Sequence, residues 1–308
     1  MPTEATSETS TGGDRLTRFL LERAGVRGVR VHLDEAWAKI RSREAYPEVV
    51  AELLGEACAA AALFTGHAKV DGRLSVQLRS QSTLRTLFAE CTAAGTLRGI
   101  AQLAEDGGPV SRDLRELGDD AVLAITIENT SRAGTGQSEP RRYQGLVALE
   151  ADSLSGAFED YFRQSEQLPT RILLAADADA AAGVMLQKLP GDGGDEDGWR
   201  RACALFDTLS PQELLDWPTD LLLSRLFHED GPQALGDRPL WFACSCSRER
   251  VSGMLQALGE EEARAALSDG TAHVRCEFCG QGYDFTPGDI DALFTADERL
   301  MEAPKRLQ

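Results

Sequence analysis

The chain has 308 residues, 42% of them hydrophobic, and a formal net charge of −18 from 32 basic and 50 acidic residues. That is enough chain for about two domains with a buried core. So acidic a surface repels phosphate backbones, which argues against nucleic acid as a partner. No apolar run approaches the roughly 18 residues of a membrane span, which argues against a membrane partner as well.

The N-terminus, MPTEATSETSTGGD, has no basic residue before Arg15 and no apolar stretch. It reads as neither a secretory signal nor a transit peptide. Residues 1–13 are expected to be a disordered tail. A cytoplasmic location follows, where thiols stay reduced.

In DRLTRFLLERAG, Leu16, Phe19, Leu20 and Arg23 follow helical spacing. Asp14 could cap such a helix and Gly25 could end it. GVRVHL (28–33) alternates like a strand. YPEVVAELLGEACAAAALFTGHA (46–68) reads as a long helix, Ala-rich on several sides and hence largely buried. Short strands follow between 74 and 129, punctuated by Asp71-Gly72, Ala94-Gly95 and Gly118-Asp119, with another at 142–150. Residues 153–167 read as an amphipathic helix, and 171–177 and 182–190 as two more strands.

The pattern describes an α+β fold. Residues 14–190 form an N-terminal α/β domain with a mostly antiparallel sheet, 191–240 an acidic loop and helical linker, and 241–308 a small C-terminal zinc-binding domain. GDGGDEDG (191–198) reads as a solvated linker, because it lacks the alternating ligands and final Glu of a calcium loop. Ser210-Pro211-Gln212-Glu213 is a capping-box helix start. Beyond it, Leu214, Leu215, Trp217, Leu221, Leu222, Leu223, Leu226 and Phe227 crowd into 14 positions. A single small helical pair cannot bury that much apolar surface. The segment must lean on the N-terminal domain, the C-terminal domain or another protein, which makes it a candidate linker or client-binding surface.

Cys244, Cys246, Cys276 and Cys279 form C-x-C and C-x-x-C arms separated by 29 residues. Residues i and i+2 of an extended segment share a face. Gly280 permits the tight turn of the second arm. Both arms can therefore close on one zinc ion as a tetrahedron of thiolates. His273 is expected on the surface or behind the ligands. A module this small needs its metal: structural zinc supplies about 10–16 kcal/mol of apparent binding free energy, against a whole-domain stability of about 5–15 kcal/mol. Arg248, Arg250 and Arg275 would favour thiolate. Each cysteine has a neighbour close in sequence, so oxidation should give Cys244–Cys246 and Cys276–Cys279 disulfides and release the metal.

With these arms the chain resembles the 33-kDa chaperonin family, redox-regulated heat-shock holdases. Further matching segments are RFLLERAGVRG, YPEVVAELLGEA, RLSVQL, AECTAAGTLRGIA, RYQGLVAL, YFRQSEQLPTR, LFHED and LGEEEA. The resemblance implies one zinc ion on the four cysteines and an inactive reduced form. It also implies activation by peroxide through the two disulfides, and ATP-independent binding of unfolding client proteins as a homodimer. One departure is RSQST (79–83), where the family tends to have a glycine-containing turn.

Two other readings remain open on the residues themselves. The cysteines suit a structural zinc ribbon with no redox role. An enzyme is not expected: no P-loop, G-x-G-x-x-G or G-x-S-x-G occurs. Cys58 and Cys91 read as small buried residues, and neither they nor Cys203 has a close sequence partner.

Overall fold

A computed structural model describes residues 13–68, 70–105, 107–129, 141–191 and 194–301. Residues 1–12 of the expected disordered tail lie outside the described residues. The chain divides into two compact units, Met1–Ala243 and Cys244–Gln308. The mixed α+β class with antiparallel sheets is as expected.

The first strand, β1 (Arg15–Leu21), occupies the segment expected to be a helix. Leu16 packs on one core cluster while Phe19 and Leu21 pack on another. Both faces are covered, so the strand loses the polar alternation that would mark it. Asp14 caps a different helix: its carboxylate accepts from Asp34 N at 2.5 Å and Ala36 N at 2.6 Å, at the start of α1 (Glu35–Arg41). Gly25 serves the turn into β2 (Val26–Leu33).

Helix α2 (Glu48–His67) is the central element of the first unit. By length and composition it could cross a bilayer, contrary to the expectation that no run would qualify. Its apolar window is instead 83% buried inside the fold. Two sheets enclose it. One holds β3 (Arg73–Arg79), β4 (Leu84–Thr92), β5 (Thr96–Leu103), β6 (Val122–Asn129) and β7 (Arg141–Ala148). Helix α3 (Leu154–Tyr161) then leads to β8 (Thr170–Ala176) and β9 (Ala181–Lys188), which join β2 in the other sheet. Alanines and glycines let α2 sit this close. A Cβ on Gly183 of β9 would lie 2.8 Å from Leu63 Cδ1, and one on Gly99 of β5 would lie 2.8 Å from Cys58 Sγ.

The AECTAAGTLRGIA segment is the β4–β5 hairpin. Its cross-strand partners Glu90 and Arg98 form a buried ion pair at 2.8 Å. The RSQST loop between β3 and β4 closes without glycine. Ser80 Oγ donates to Leu84 O at 2.6 Å and accepts from Ser82 N at 3.1 Å. A side chain supplies the turn's hydrogen bonds in place of a strained backbone.

Helices α4 (Gly198–Phe206), α5 (Pro211–Asp216) and α6 (Thr219–Phe227) cover the opposite face of the β2–β9 sheet. The acidic loop before them is not a free solvated linker. Asp195 N donates to Arg23 O at 2.8 Å, and a Cβ on Gly194 (φ 91) would lie 2.4 Å from Gly25 N. Strand β10 (Pro232–Pro239) then pairs antiparallel with β1, giving the sheet order β10-β1-β2-β9-β8. Strand β11 (Trp241–Phe242) pairs parallel with β5 on the other sheet. Neither strand was expected. β10 is an exposed edge with a proline at each end and no apolar alternation.

The second unit has α7 (Arg248–Leu258) and α8 (Glu260–Ala265), which break at Gly259 as expected. A hairpin of β12 (Ala272–Arg275) and β13 (Gly282–Phe285) and a final helix α9 (Pro287–Met301) complete it. Its core is Leu255, Ala263, Ala272, Phe285 and Ile290.

At the end of α2, His67 Nε2 accepts from Arg27 Nη2 at 3.2 Å. Burial first, and the Arg27 charge second, push the His67 pKa from 6.5 to about 4. An unfolded chain therefore takes up this proton at higher pH than the folded one. The resulting stability is complete above about pH 6.5 and is lost as pH falls toward about 4, to a limit on the order of 3 kcal/mol. Urea unfolding from pH 7 to 4.5 should show a shallower pH slope in His67→Gln than in the parent chain.

Candidate metal centre

The two cysteine arms come from different local structures. Cys244 and Cys246 lie on the extended entry to α7, where Ser247 Oγ caps the helix by accepting from Arg250 N at 3.3 Å. Cys276 and Cys279 lie in the knuckle between β12 and β13. Cys276 N donates to Gln281 O and Gly280 N to Cys276 O, each at 2.9 Å, with Gly280 at φ 70.

The arms bring all four Sγ atoms within 4.8 Å of one another. Cys244 Sγ lies 3.9 Å from Cys276 Sγ, and Cys246 Sγ lies 3.5 Å from Cys279 Sγ. Four sulfurs bound about 2.3 Å from one tetrahedral ion sit about 3.8 Å apart. The residues therefore fit a single metal ion. His273 takes no part: it is exposed, and its Nδ1 lies 2.7 Å from Asp284 Oδ1.

The Cys246 and Cys279 thiols are pushed up from their ordinary value, chiefly by burial. The arginines expected to favour thiolate do not bring these two down. Arg250 Nη1 donates to Ser245 O at 2.8 Å and Arg275 Nε to Gly280 O at 3.3 Å, so each braces the backbone of its own arm. Arg248 donates to Asp284 O at 2.7 Å and lies over the Phe285 ring, tying α7 to the hairpin.

The other three cysteines lie elsewhere. Cys58 and Cys91 are fully buried in the first unit. Burial pushes both thiols up, Cys91 to about 11, and it does the same to Cys203. A high pKa leaves little thiolate to react.

Of the eight apolar residues after Ser210, Leu214, Leu215, Leu222, Leu223, Leu226 and Phe227 are buried in the cluster with Phe19, Leu21, Val184 and Leu186. Trp217 is half-buried, with Arg225 stacked over its ring at 4.6 Å, and Leu221 is exposed. The segment leans on the first unit's own sheet. Sequence reasoning missed the residue that fastens it. Arg30 of β2 is 2% exposed, and its Nη1 donates to Thr219 Oγ1 at 2.7 Å. Its Nη2 donates to Leu214 O at 3.1 Å and to Trp217 O. The guanidinium thus ends α5 and starts α6. Burial lowers its pKa to about 10, which leaves it charged at neutral pH. A lone Arg in GVRVHL carries no sequence signal for such a role.

Replacing Cys276 by Ala removes one of four donors. Bound metal in the purified chain should fall from one equivalent to nearly none. Amide protection in β12 and β13 should collapse while α2 keeps its own, because so small a unit is expected to need a metal cross-link between its two arms. Retained metal or an intact hairpin would contradict this.

Known proteins are similar to this chain in sequence and in fold. A family model described as Hsp33 protein matches residues 14–286. The chain is 40% identical over 284 residues to the 33 kDa chaperonin of Ectopseudomonas mendocina, covering 90% of this chain and 94% of that one. It is also 40% identical over 288 residues to the 33 kDa chaperonin of Azotobacter vinelandii, covering 91% and 94%. The crystal structure of the 33 kDa chaperonin from Thermotoga maritima superposes with a TM-score of 0.72, covering 94% of this chain and 100% of that one. At 20% identity that likeness speaks for the fold. The family match runs from the first strand of the α2 sandwich through all four cysteines, and the chain belongs to the Hsp33 family, the 33 kDa chaperonins.

Proposed function

We propose that this chain is an ATP-independent holdase of the cytoplasm, switched on by oxidation, that binds unfolding proteins and keeps them from aggregating. The observation that carries the reading is the cluster of four sulfurs within 4.8 Å in a unit whose described residues form one small apolar cluster. Such a unit depends on whatever holds its sulfurs together.

In the reduced form the four cysteines would hold one zinc ion, which suits an all-thiolate tetrahedron. Bound zinc supplies a cross-link between the two arms. Oxidation would pair Cys244 with Cys246 and Cys276 with Cys279. Each pair of thiolates gives up two electrons to one hydrogen peroxide, which takes two protons from solvent and leaves as two waters. Paired sulfurs no longer donate four thiolates, so the two arms lose their common tether.

The client surface would be the apolar side of α5 and α6 and the sheet face they cover. Both are buried here, as an inactive reduced form would require. Undocking would expose Leu215, Leu222, Leu226 and Phe227 together with Phe19, Leu21, Val184 and Leu186. Exposed apolar patches of that kind bind other proteins or a second copy of the same chain. The active form would be a homodimer, and the net charge of −18 would keep it dispersed while that surface is open.

Two measurements test the reading. Peroxide-treated chain should suppress aggregation of a heat-labile client at near-equal molar ratio, and reduced chain should not. Equal protection by both forms, or by neither, contradicts the proposal. Arg30→Ala strands the carbonyls of Leu214 and Trp217 and removes charge-assisted hydrogen bonds worth about 1.5–3 kcal/mol each. That variant should protect the client partially while still reduced and zinc-loaded, and proteases should cut it faster within 207–220.

A further inference from the structure

Two stretches that mark this sequence, RYQGLVAL and YFRQSEQLPTR, play no part in the metal centre. In the structure they meet. Gly145 of β7 lies against the Tyr161 ring, where a Cβ would come 2.6 Å from Cε2. The hydroxyls of Tyr143 and Tyr161 are 3.3 Å apart. After Tyr161 the helix widens into a π-helical turn, Phe162–Glu166, which ends at Gln167 with φ 54. Turns of this kind re-aim side chains and recur at functional sites.

Here the turn builds one wall of a solvent-open cavity of about 470 Å³. Phe162 and Leu168 form that wall. Phe64 of α2 and Ile127 of β6 form others, with the Phe64 and Phe162 rings edge-to-face at 5.4 Å. Cavities of about 300–1,000 Å³ with apolar walls and a few convergent polar groups are typical of small-molecule sites.

Arg27 of β2 brings a positive charge to this cavity. Its Nε donates to Gln187 Oε1 at 3.1 Å, and its Nη2 to Gln187 Oε1 and to His67 Nε2 at 3.2 Å. Both partners are neutral, since His67 stays uncharged above about pH 4. No carboxylate among the described residues forms an ion pair with this half-buried guanidinium. Glu166 also lines the cavity, but it is exposed and accepts from Tyr161 OH at 3.2 Å. Water screens its charge far more than that of the desolvated Arg27.

We propose that this cavity is a binding site for a medium-chain alkyl monocarboxylate, with the carboxylate on Arg27 and the tail along Phe162, Leu168 and Ile127. The carboxylate would supply the counter-charge that Arg27 lacks, as a charge-assisted contact to Nη1, the guanidinium nitrogen that Gln187 and His67 do not engage. The inference is independent of the sulfur cluster and concerns the first unit alone.

Calorimetric titration of the reduced, metal-loaded full chain with sodium octanoate tests it, with 1-octanol as the neutral match. Octanoate should saturate one site per chain. Arg27→Gln should weaken octanoate by about tenfold or more and leave octanol unchanged. Arg27→Lys, which keeps the charge but loses the contacts to Gln187 and His67 that aim it, should fall between. If Arg27→Gln does not fold, ring signals of Tyr143 and Tyr161 in the parent chain give a second readout and should shift saturably with octanoate. Equal binding of acid and alcohol, no saturation, an unweakened Arg27→Gln, or shifts confined to the α5–α6 residues would overturn the proposal.

Discussion

Among the described residues of the second unit, Leu255, Ala263, Ala272, Phe285 and Ile290 form a small buried cluster, with partly buried side chains such as Val251, Leu267 and Phe294 packed against it. Ordering a unit of that size costs more conformational entropy than so small a core returns. The sulfur cluster has to make up the difference. The four sulfurs bring the entry of α7 and the β12–β13 knuckle, two segments far apart in sequence, within reach of one tetrahedral ion. The proposed switch rests on that dependence. A unit with a full core would survive the loss of its metal and could report nothing.

The first unit is built on the opposite principle. Helix α2 is buried on all sides between two sheets, with alanines and glycines at the points of closest approach. Nothing in that core depends on sulfur chemistry, and the buried thiols there are pushed away from reactivity. The layer on the outer sheet face is different again. Helices α4–α6 bury large leucines and Phe227, yet a single buried guanidinium, Arg30, holds the α5–α6 corner through carbonyl oxygens. Removing one partner of a buried, charged hydrogen-bond set costs far more than the set contributes net. Such a layer stays docked firmly while intact and gives way sharply once disturbed.

The parts that were legible in the sequence were those fixed by local chemistry. Cysteines at two short spacings implied a shared ion, and the ligand atoms converge. The Ala-rich run at 46–68 implied a buried helix, and α2 is one. Ser210 to Glu213 implied a capped start, and both halves of the capping box are present. The misreadings came from tertiary cover. β1 imitates a helix because both its faces are buried. β10 has no alternation because it is a solvated edge that needs only backbone pairing. The glycine-rich loop near 194 looked like a free linker, but its glycines allow backbone-to-backbone contact with Ala24 and Gly25. Arg30 was invisible because its partners are main-chain carbonyls more than 180 residues away.

On the proposed function, loss of the sulfur cluster would free the layer that covers the first unit's outer sheet face. Hydrogen–deuterium exchange of the zinc-loaded chain, before and after peroxide, tests it most directly. The account predicts that β12–β13 and α4–α6 lose protection together as zinc is released, while α2 and β2 keep theirs. Zinc release with α4–α6 still protected would contradict it.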